Sequence, residues 1–240
     1  MYKVKGKKVL VVGLGKTGES SARFLMQQGA KVTATDSKNK NELTEVLRNL
    51  ADLKIDYELG KINPKLFTSH ELIVLSPGVP SNTEGLSDAR AAGIPVINDL
   101  ELAFEHIKAP IIAVTGTNGK TTTTTMIGDM LKNDGKKVFV GGNIGVPVLE
   151  HVMRNEEVDY VILEVSSFQA EVLENFKPAV AVFTNLEPDH LDRYPQGIES
   201  YYAAKRRILK NSDANTVLVS NLDNDGTASM AGTFPGKVYR

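Results

Sequence analysis

Four side chains in the second half of this 240-residue chain concentrate its chemical potential: Lys120, Glu164, His190 and Lys205. Lys120 follows Gly116, Thr117, Asn118 and Gly119 and precedes Thr121 and Thr122, within "PIIAVTGTNGKTTTTTMIG". An apolar strand that runs through a glycine turn into a helix leaves backbone N–H groups and a helix dipole available to phosphate. The lysine would sit against the β- and γ-phosphates, and the Thr121 hydroxyl would bind Mg²⁺. The common phosphate-loop pattern G-x-x-x-x-G-K-[ST], however, requires a glycine where Val114 stands. The competing reading is a threonine-rich helix start with a solvated lysine, and it leaves Glu164 unexplained. Glu164 ends the apolar run "YVILEVSS". A strand-end carboxylate either caps a helix, joins a salt bridge or, beside a G-K-T loop, supports a Mg²⁺ or its water.

Lys205 raises a different question. In "IESYYAAKRRILKN" a helical reading puts it one turn from Tyr201, Ile208 and Leu209, inside the apolar stripe, whereas Arg206 and Lys210 share another face. Such a lysine snorkels outward, or it must be paired, neutralised or chemically modified. Just upstream, "TNLEPDHLDRY" brings Asp189, His190 and Asp192 together after the strand "AVAVF". Ligands of open α/β sheets gather beyond strand carboxyl ends, so a second metal site is expected there.

These residues need a scaffold, and the hydrophobic rhythm supplies one. Short runs such as "KVLVVG", "KVTATD", "LIVLSPG" and "IPVIND" alternate with helical patterns over 17–28, 41–51 and 84–92. A second series opens at "PIIAVTG" and continues through a helix over 120–133, "KKVFVGG", "VDYVILEVSS", a helix over 199–210 and "NTVLVSN". The fold class expected is α/β with mostly parallel sheets covered on both faces. A seam near "NDLELAFEHIKAP" divides the chain into a Rossmann-like domain, 1–98, and a phosphate-loop domain, 99–240. The first domain has its own glycine loop, "GLGKTG" over 13–18, with Asp36 ending the next strand. That is a dinucleotide fingerprint, and it equally suits another diphosphate ligand, or a glycine turn used only for packing. A dehydrogenase explains this loop alone and gives no account of the second.

Composition narrows the classes further. A net charge of −1 gives no global attraction to nucleic acid. With no cysteine there are no disulfides or thiolate metal sites, which fits a reducing compartment. The basic start "MYKVKGKKVLVV" is too short in its apolar run for a signal peptide, and no stretch approaches a membrane span. A cytoplasmic protein without membrane partners is expected.

Taken together, "TGTNGKTTTT", "GGNIG", "LEVSSFQ", "NLEPDHLDRY" and "YYAAKRRI" resemble the Mur ligases, ATP-dependent amide ligases of peptidoglycan assembly. In that family the loop lacks the first glycine of the common pattern, so Val114 is expected. "GLGKTG", "TD", "LSPGVP" and "INDLELA" are similar to the branch that adds D-glutamate to UDP-MurNAc-L-Ala.

The resemblance implies a role for each position. Lys16, Thr17, Gly18, Asp36, Ser37, Ser76, Pro77 and Gly78 would surround the uridine diphosphate, so NAD is not implied. Asn143, Ser166 and His190 would lie along the muramoyl arm, and Gly116 to Thr122 would hold ATP. Thr121 and Glu164 match ligands of one Mg²⁺. His190 and Lys205 match a second metal site, where the family's lysine is carbamylated by CO₂. The implied partners are the small molecules UDP-MurNAc-L-Ala and D-glutamate, acting on a monomer. Family members also carry a third, amino-acid-binding domain and further central-domain sequence with the adenine contacts. A truncated central domain with little or no turnover of its own is therefore expected. The alternatives are a non-catalytic nucleotide-sugar binding module and an NAD-dependent oxidoreductase.

Overall fold

Strand β1, Lys8–Val12, lies at the heart of the first sheet because four of its five residues are fully buried aliphatics. The computed structural model describes every residue except Met1, Ser81, Leu191, Pro195 and Ala231. It resolves into two units, Met1–Glu105 and His106–Arg240. In the first, β1 is followed by α1 (Lys16–Gln27), β2 (Lys31–Asp36), α2 (Thr44–Asn49), β3 (Asp56–Leu59) and α3 (Lys65–Thr68). Then come β4 (Leu72–Leu75), α4 (Leu86–Ala91), β5 (Val96–Ile97) and α5 (Asp99–Phe104). All neighbouring strands pair in parallel in the order β3-β2-β1-β4-β5. The order reverses between β1 and β4, and the first glycine loop leaves β1 at that switch point.

The first unit ends at Glu105, inside the stretch 98–110 read as the seam, so the helix after residue 98 joins the first unit. Asn98 caps α5 by accepting the Glu101 N–H at 3.0 Å, and Leu100, Leu102 and Ala103 are buried. Helix α5 packs on α1, so its apolar face belongs to the first core.

In the second unit β6 (Ile111–Thr115) leads into α6 (Lys120–Asn133), followed by β7 (Val138–Gly142), α7 (Val148–Arg154) and β8 (Tyr160–Glu164). After these come α8 (Ser167–Ala170), β9 (Val180–Phe183), α9 (Ile198–Arg206), β10 (Val217–Ser220), α10 (Asp225–Ala228) and β11 (Lys237–Tyr239). Their parallel order is β11-β10-β9-β6-β8-β7. The last segment is a parallel edge strand on β10. Val114, Ile162 and Val182 form a core cluster at the sheet centre, with Ile127 and Leu131 of α6 packed on them. Each such aliphatic contributes about 1.5–3 kcal/mol of burial. Val114 is thus a core residue of β6, a place where glycine would weaken the strand.

Candidate active site

The phosphate loop hangs from the carboxyl end of β6, between β8 and β9. At Gly116 the backbone has φ +149°, and a Cβ built there would lie 1.9 Å from the Thr184 hydroxyl. Only glycine fits. Gly119, at φ +80°, turns the chain into α6 without a side-chain cap. The first N–H groups of α6 therefore stay unbonded within the helix, as an anion site requires. Lys120 and Thr121 lie in its first turn, and the Lys120 Nζ donates to the Thr117 carbonyl at 2.8 Å. Of the threonine run, Thr121 and Thr122 are exposed while Thr124 is buried in the unit.

Glu164 ends β8, directly beside the loop strand, and is almost completely buried. Thr121 Oγ1 donates to Glu164 Oε2 at 2.7 Å, and Asn143 Nδ2 donates to Glu164 Oε1 at 2.8 Å. Both carboxylate oxygens are thus fixed by neutral donors, which keeps a buried charge tolerable. The Asn143 side chain, placed by resemblance on the muramoyl arm, here orients Glu164. Ser166 is engaged as well: its hydroxyl accepts the Gln169 N–H at 3.2 Å in a capping box that starts α8.

Lys205 is 1% exposed, on the inner face of α9. Its Nζ donates to the Gly116 carbonyl at 2.8 Å and lies 4.7 Å from the centre of the Tyr201 ring. Burial, reinforced by the neighbouring Lys120 charge, pulls its pKa down to about 7, against the opposing pull of Asp189 and Glu164. The amine therefore loses its proton far more readily than an ordinary lysine. His190 adopts φ +52°, its Nε2 lies 3.6 Å from Asp189 Oδ2, and its ring is tilted against Phe168 and edge-on to Tyr201. Lys205 and His190 accordingly flank the same tyrosine. Leu191 of this stretch lies outside the described residues.

In the first unit, a Cβ on Gly18 would lie 1.8 Å from the Gly13 carbonyl oxygen, so α1 can start only with glycine there. Asp36 Oδ2 accepts the Leu14 N–H at 2.6 Å and Oδ1 the Lys38 N–H at 2.8 Å. Ser76 Oγ, after β4, donates to the Gly13 carbonyl at 2.8 Å. Asp36 and Ser76 thereby hold the glycine loop from both neighbouring strands. Lys16, Ser37 and Gly78 are exposed around it, and Thr17 and Pro77 are half-buried.

Among the described residues no three His, Asp or Glu side chains are grouped to hold a metal. The Thr121 hydroxyl and the Glu164 carboxylate are nonetheless hard oxygen donors side by side, the chemistry Mg²⁺ takes when phosphates and water complete its shell. His190 is a second donor, while Lys205 becomes an oxygen donor only if its nitrogen carries a carboxyl group. Sequence reasoning missed three participants: Tyr201, whose hydroxyl lies 3.2 Å from Thr117 Oγ1, and Thr184 and Asn185, which bond the phosphate loop. Their positions after β9 and on α9 were visible, but not that these segments meet the loop.

Known families match both units. The Mur ligase middle domain matches residues 114–239, and the Mur ligase MurD-like N-terminal domain matches residues 7–98. This chain belongs to the Mur ligase family. It is 47% identical over 236 residues to the UDP-N-acetylmuramoylalanine--D-glutamate ligase of Geotalea daltonii, covering 98% of this chain and 52% of that protein. The Koribacter versatilis protein of the same name is 46% identical, over 95% of this chain and 50% of its own length. The chain thus spans about half the length of the curated relatives it matches. Among solved structures, the UDP-N-acetylmuramate:L-alanyl-gamma-D-glutamyl-meso-diaminopimelate ligase from Neisseria meningitides superposes with a TM-score of 0.62 at 18% identity. It covers 97% of this chain and 78% of its own, a likeness of fold.

Proposed function

We propose that this chain carries the nucleotide-sugar and ATP sites of a ligase that joins D-glutamate to UDP-MurNAc-L-Ala in peptidoglycan precursor synthesis. The observation that carries the reading is the convergence on one loop. Lys120, the Thr121–Glu164 pair and the buried Lys205 all contact residues 116–121. The similarity to the D-glutamate ligases named above supports the choice of substrates.

Gly119 to Thr122 would offer backbone N–H groups to the β- and γ-phosphates, and Lys120 would leave the Thr117 carbonyl to neutralise them. The L-alanyl carboxylate attacks the γ-phosphorus, the bond to ADP breaks, and an acyl phosphate forms. The D-glutamate amine then attacks the acyl carbon, phosphate departs with the C–O electron pair, and an amide remains after the amine loses its proton. Mg²⁺, held by Thr121 and Glu164, would supply charge neutralisation for the transferring phosphoryl group. Asn143 would keep Glu164 oriented for that task.

Lys205 enters as a carbamate. The amine, once deprotonated, adds to CO₂ through a new N–C bond and releases one further proton, placing a carboxylate where a cation is unfavourable. His190 and that carboxylate would hold the second Mg²⁺. In the first unit, the α1 N-terminus with Lys16, Thr17 and Gly18 would take the diphosphate. Asp36 and Ser37, with Ser76 to Gly78, would border the uridine. Ser166 and His190 would face the muramoyl arm.

Calorimetry tests the assignment: UDP-MurNAc-L-Ala is expected to bind the chain, and NADH to give no heat. Binding of NADH in place of the UDP sugar would return the first glycine loop to a dehydrogenase reading.

A further inference from the structure

The loop that leaves β9 is tied to the phosphate loop by a seam of hydrogen bonds centred on Asn185. Its Oδ1 accepts two consecutive backbone N–H groups, from Thr117 at 3.1 Å and Asn118 at 2.9 Å. Its Nδ2 donates back to the Asn118 carbonyl at 3.1 Å, and its own carbonyl accepts from Thr117 N at 3.0 Å. On one side Thr184 Oγ1 donates to the Asn118 carbonyl at 2.6 Å. On the other, Thr117 Oγ1 donates to the Glu187 carbonyl at 3.0 Å, and the Glu187 N–H reaches Thr117 Oγ1 at 2.9 Å.

This arrangement changes which amides are available. In a G-x-x-x-x-G-K loop the glycine-rich backbone N–H groups cradle phosphate directly. Here the Thr117 and Asn118 N–H groups already have acceptors, both supplied by one asparagine. The N–H groups of Gly119, Lys120, Thr121 and Thr122 have no protein acceptor among the described residues. A primary amide suits this position because it can accept two N–H bonds and donate one at the same time. The parallel pairing of β6 with β9, Thr115 opposite Phe183, places it there.

We propose that Asn185 is a positioning residue: it fixes the Thr117–Asn118 segment in advance, so that the phosphates of ATP are met by the N–H groups of residues 119–122. The proposal rests on the nucleotide reading of the loop. A loop whose shape is set before binding loses less order when ligand arrives, and its donors are aimed without rearrangement.

Amide hydrogen exchange, read residue by residue by NMR, tests it on the protein as it stands. Without nucleotide, Thr117 and Asn118 are expected to exchange at least about tenfold more slowly than Gly119 and Lys120. MgATP should then slow residues 119–122 and leave 117 and 118 unchanged. In Asn185→Ala the early protection of Asn118 should be lost, that of Thr117 should fall to what the backbone carbonyl of position 185 supplies, and MgATP affinity should fall about tenfold, with UDP-MurNAc-L-Ala affinity unaltered. Protection of Thr117 and Asn118 that arises only when MgATP is added would overturn the proposal, since those amides would then be the cradle. Full MgATP affinity in Asn185→Ala, alongside its loss in Lys120→Ala, would overturn the positioning role alone. A parent protein in which MgATP moves no loop amide would overturn the nucleotide reading, and the role with it.

Discussion

The Lys205 nitrogen donates to the Gly116 carbonyl across 2.8 Å, joining the buried lysine of α9 to the one loop position that only glycine can occupy. This contact puts the buried amine and the glycine loop ahead of α6 within a single hydrogen bond of each other.

The depressed pKa of Lys205 has a sign that can be measured. Unfolded, the lysine keeps its proton up to about pH 10.5; folded, it loses it near pH 7. Between these values the unfolded state binds more protons, so stability rises with pH, and the burial penalty is greatest below pH 7. In CO₂-free buffer the stability of the parent relative to Lys205→Met should increase by about 1.4 kcal/mol per pH unit through this window. Urea unfolding at several pH values measures it, and a flat difference would mean the amine keeps its proton.

Gly116→Ala should destabilise the second unit by about 2 kcal/mol or more, because its Cβ would meet the Thr184 hydroxyl and the backbone is in a strained region. Thr184→Ala should recover part of that loss by opening space. Thermal unfolding of both single variants and the double variant resolves the coupling.

Glu164→Gln replaces a carboxylate that accepts from both Thr121 and Asn143 by a group with one acceptor oxygen. MgATP affinity should fall about tenfold or more, and the Mg²⁺ concentration needed for ATP binding should rise. Stability should change little, since removing a buried charge offsets the lost hydrogen bond. Titration with ATP at several Mg²⁺ concentrations, with melting curves as control, separates the two effects.

Asp36→Asn leaves either the Leu14 or the Lys38 N–H facing an amide NH₂. The unsatisfied donor should cost about 1–3 kcal/mol. UDP affinity should fall because the glycine loop loses its anchor. Calorimetry with UDP reads the second effect directly.

Local signals in the sequence carried much of this picture. The parallel βα rhythm and the strand–loop–helix at 110–128 are contiguous, so they can be read without knowing the fold. The inward lysine follows from its one-turn spacing to Tyr201 and Leu209. The Asn185 seam was out of reach because it exists only when β9 lies beside β6, a pairing of segments far apart in the chain. For the same reason Asp36, expected to border the uridine diphosphate, could not be seen to clamp the Leu14 N–H. β3 was missed because "DYEL" alternates exposed and half-buried residues at a sheet edge and has no apolar run. Helix α5 was assigned to the seam because its partner, α1, lies early in the chain.

Calorimetric titration of the chain with UDP-MurNAc-L-Ala and, separately, with NADH is the most direct test of the central claim. Saturable binding of the UDP sugar, competed by UDP and weakened by Gly18→Ala, is expected, with no binding of NADH. Saturable binding of NADH with no affinity for the UDP sugar would contradict it.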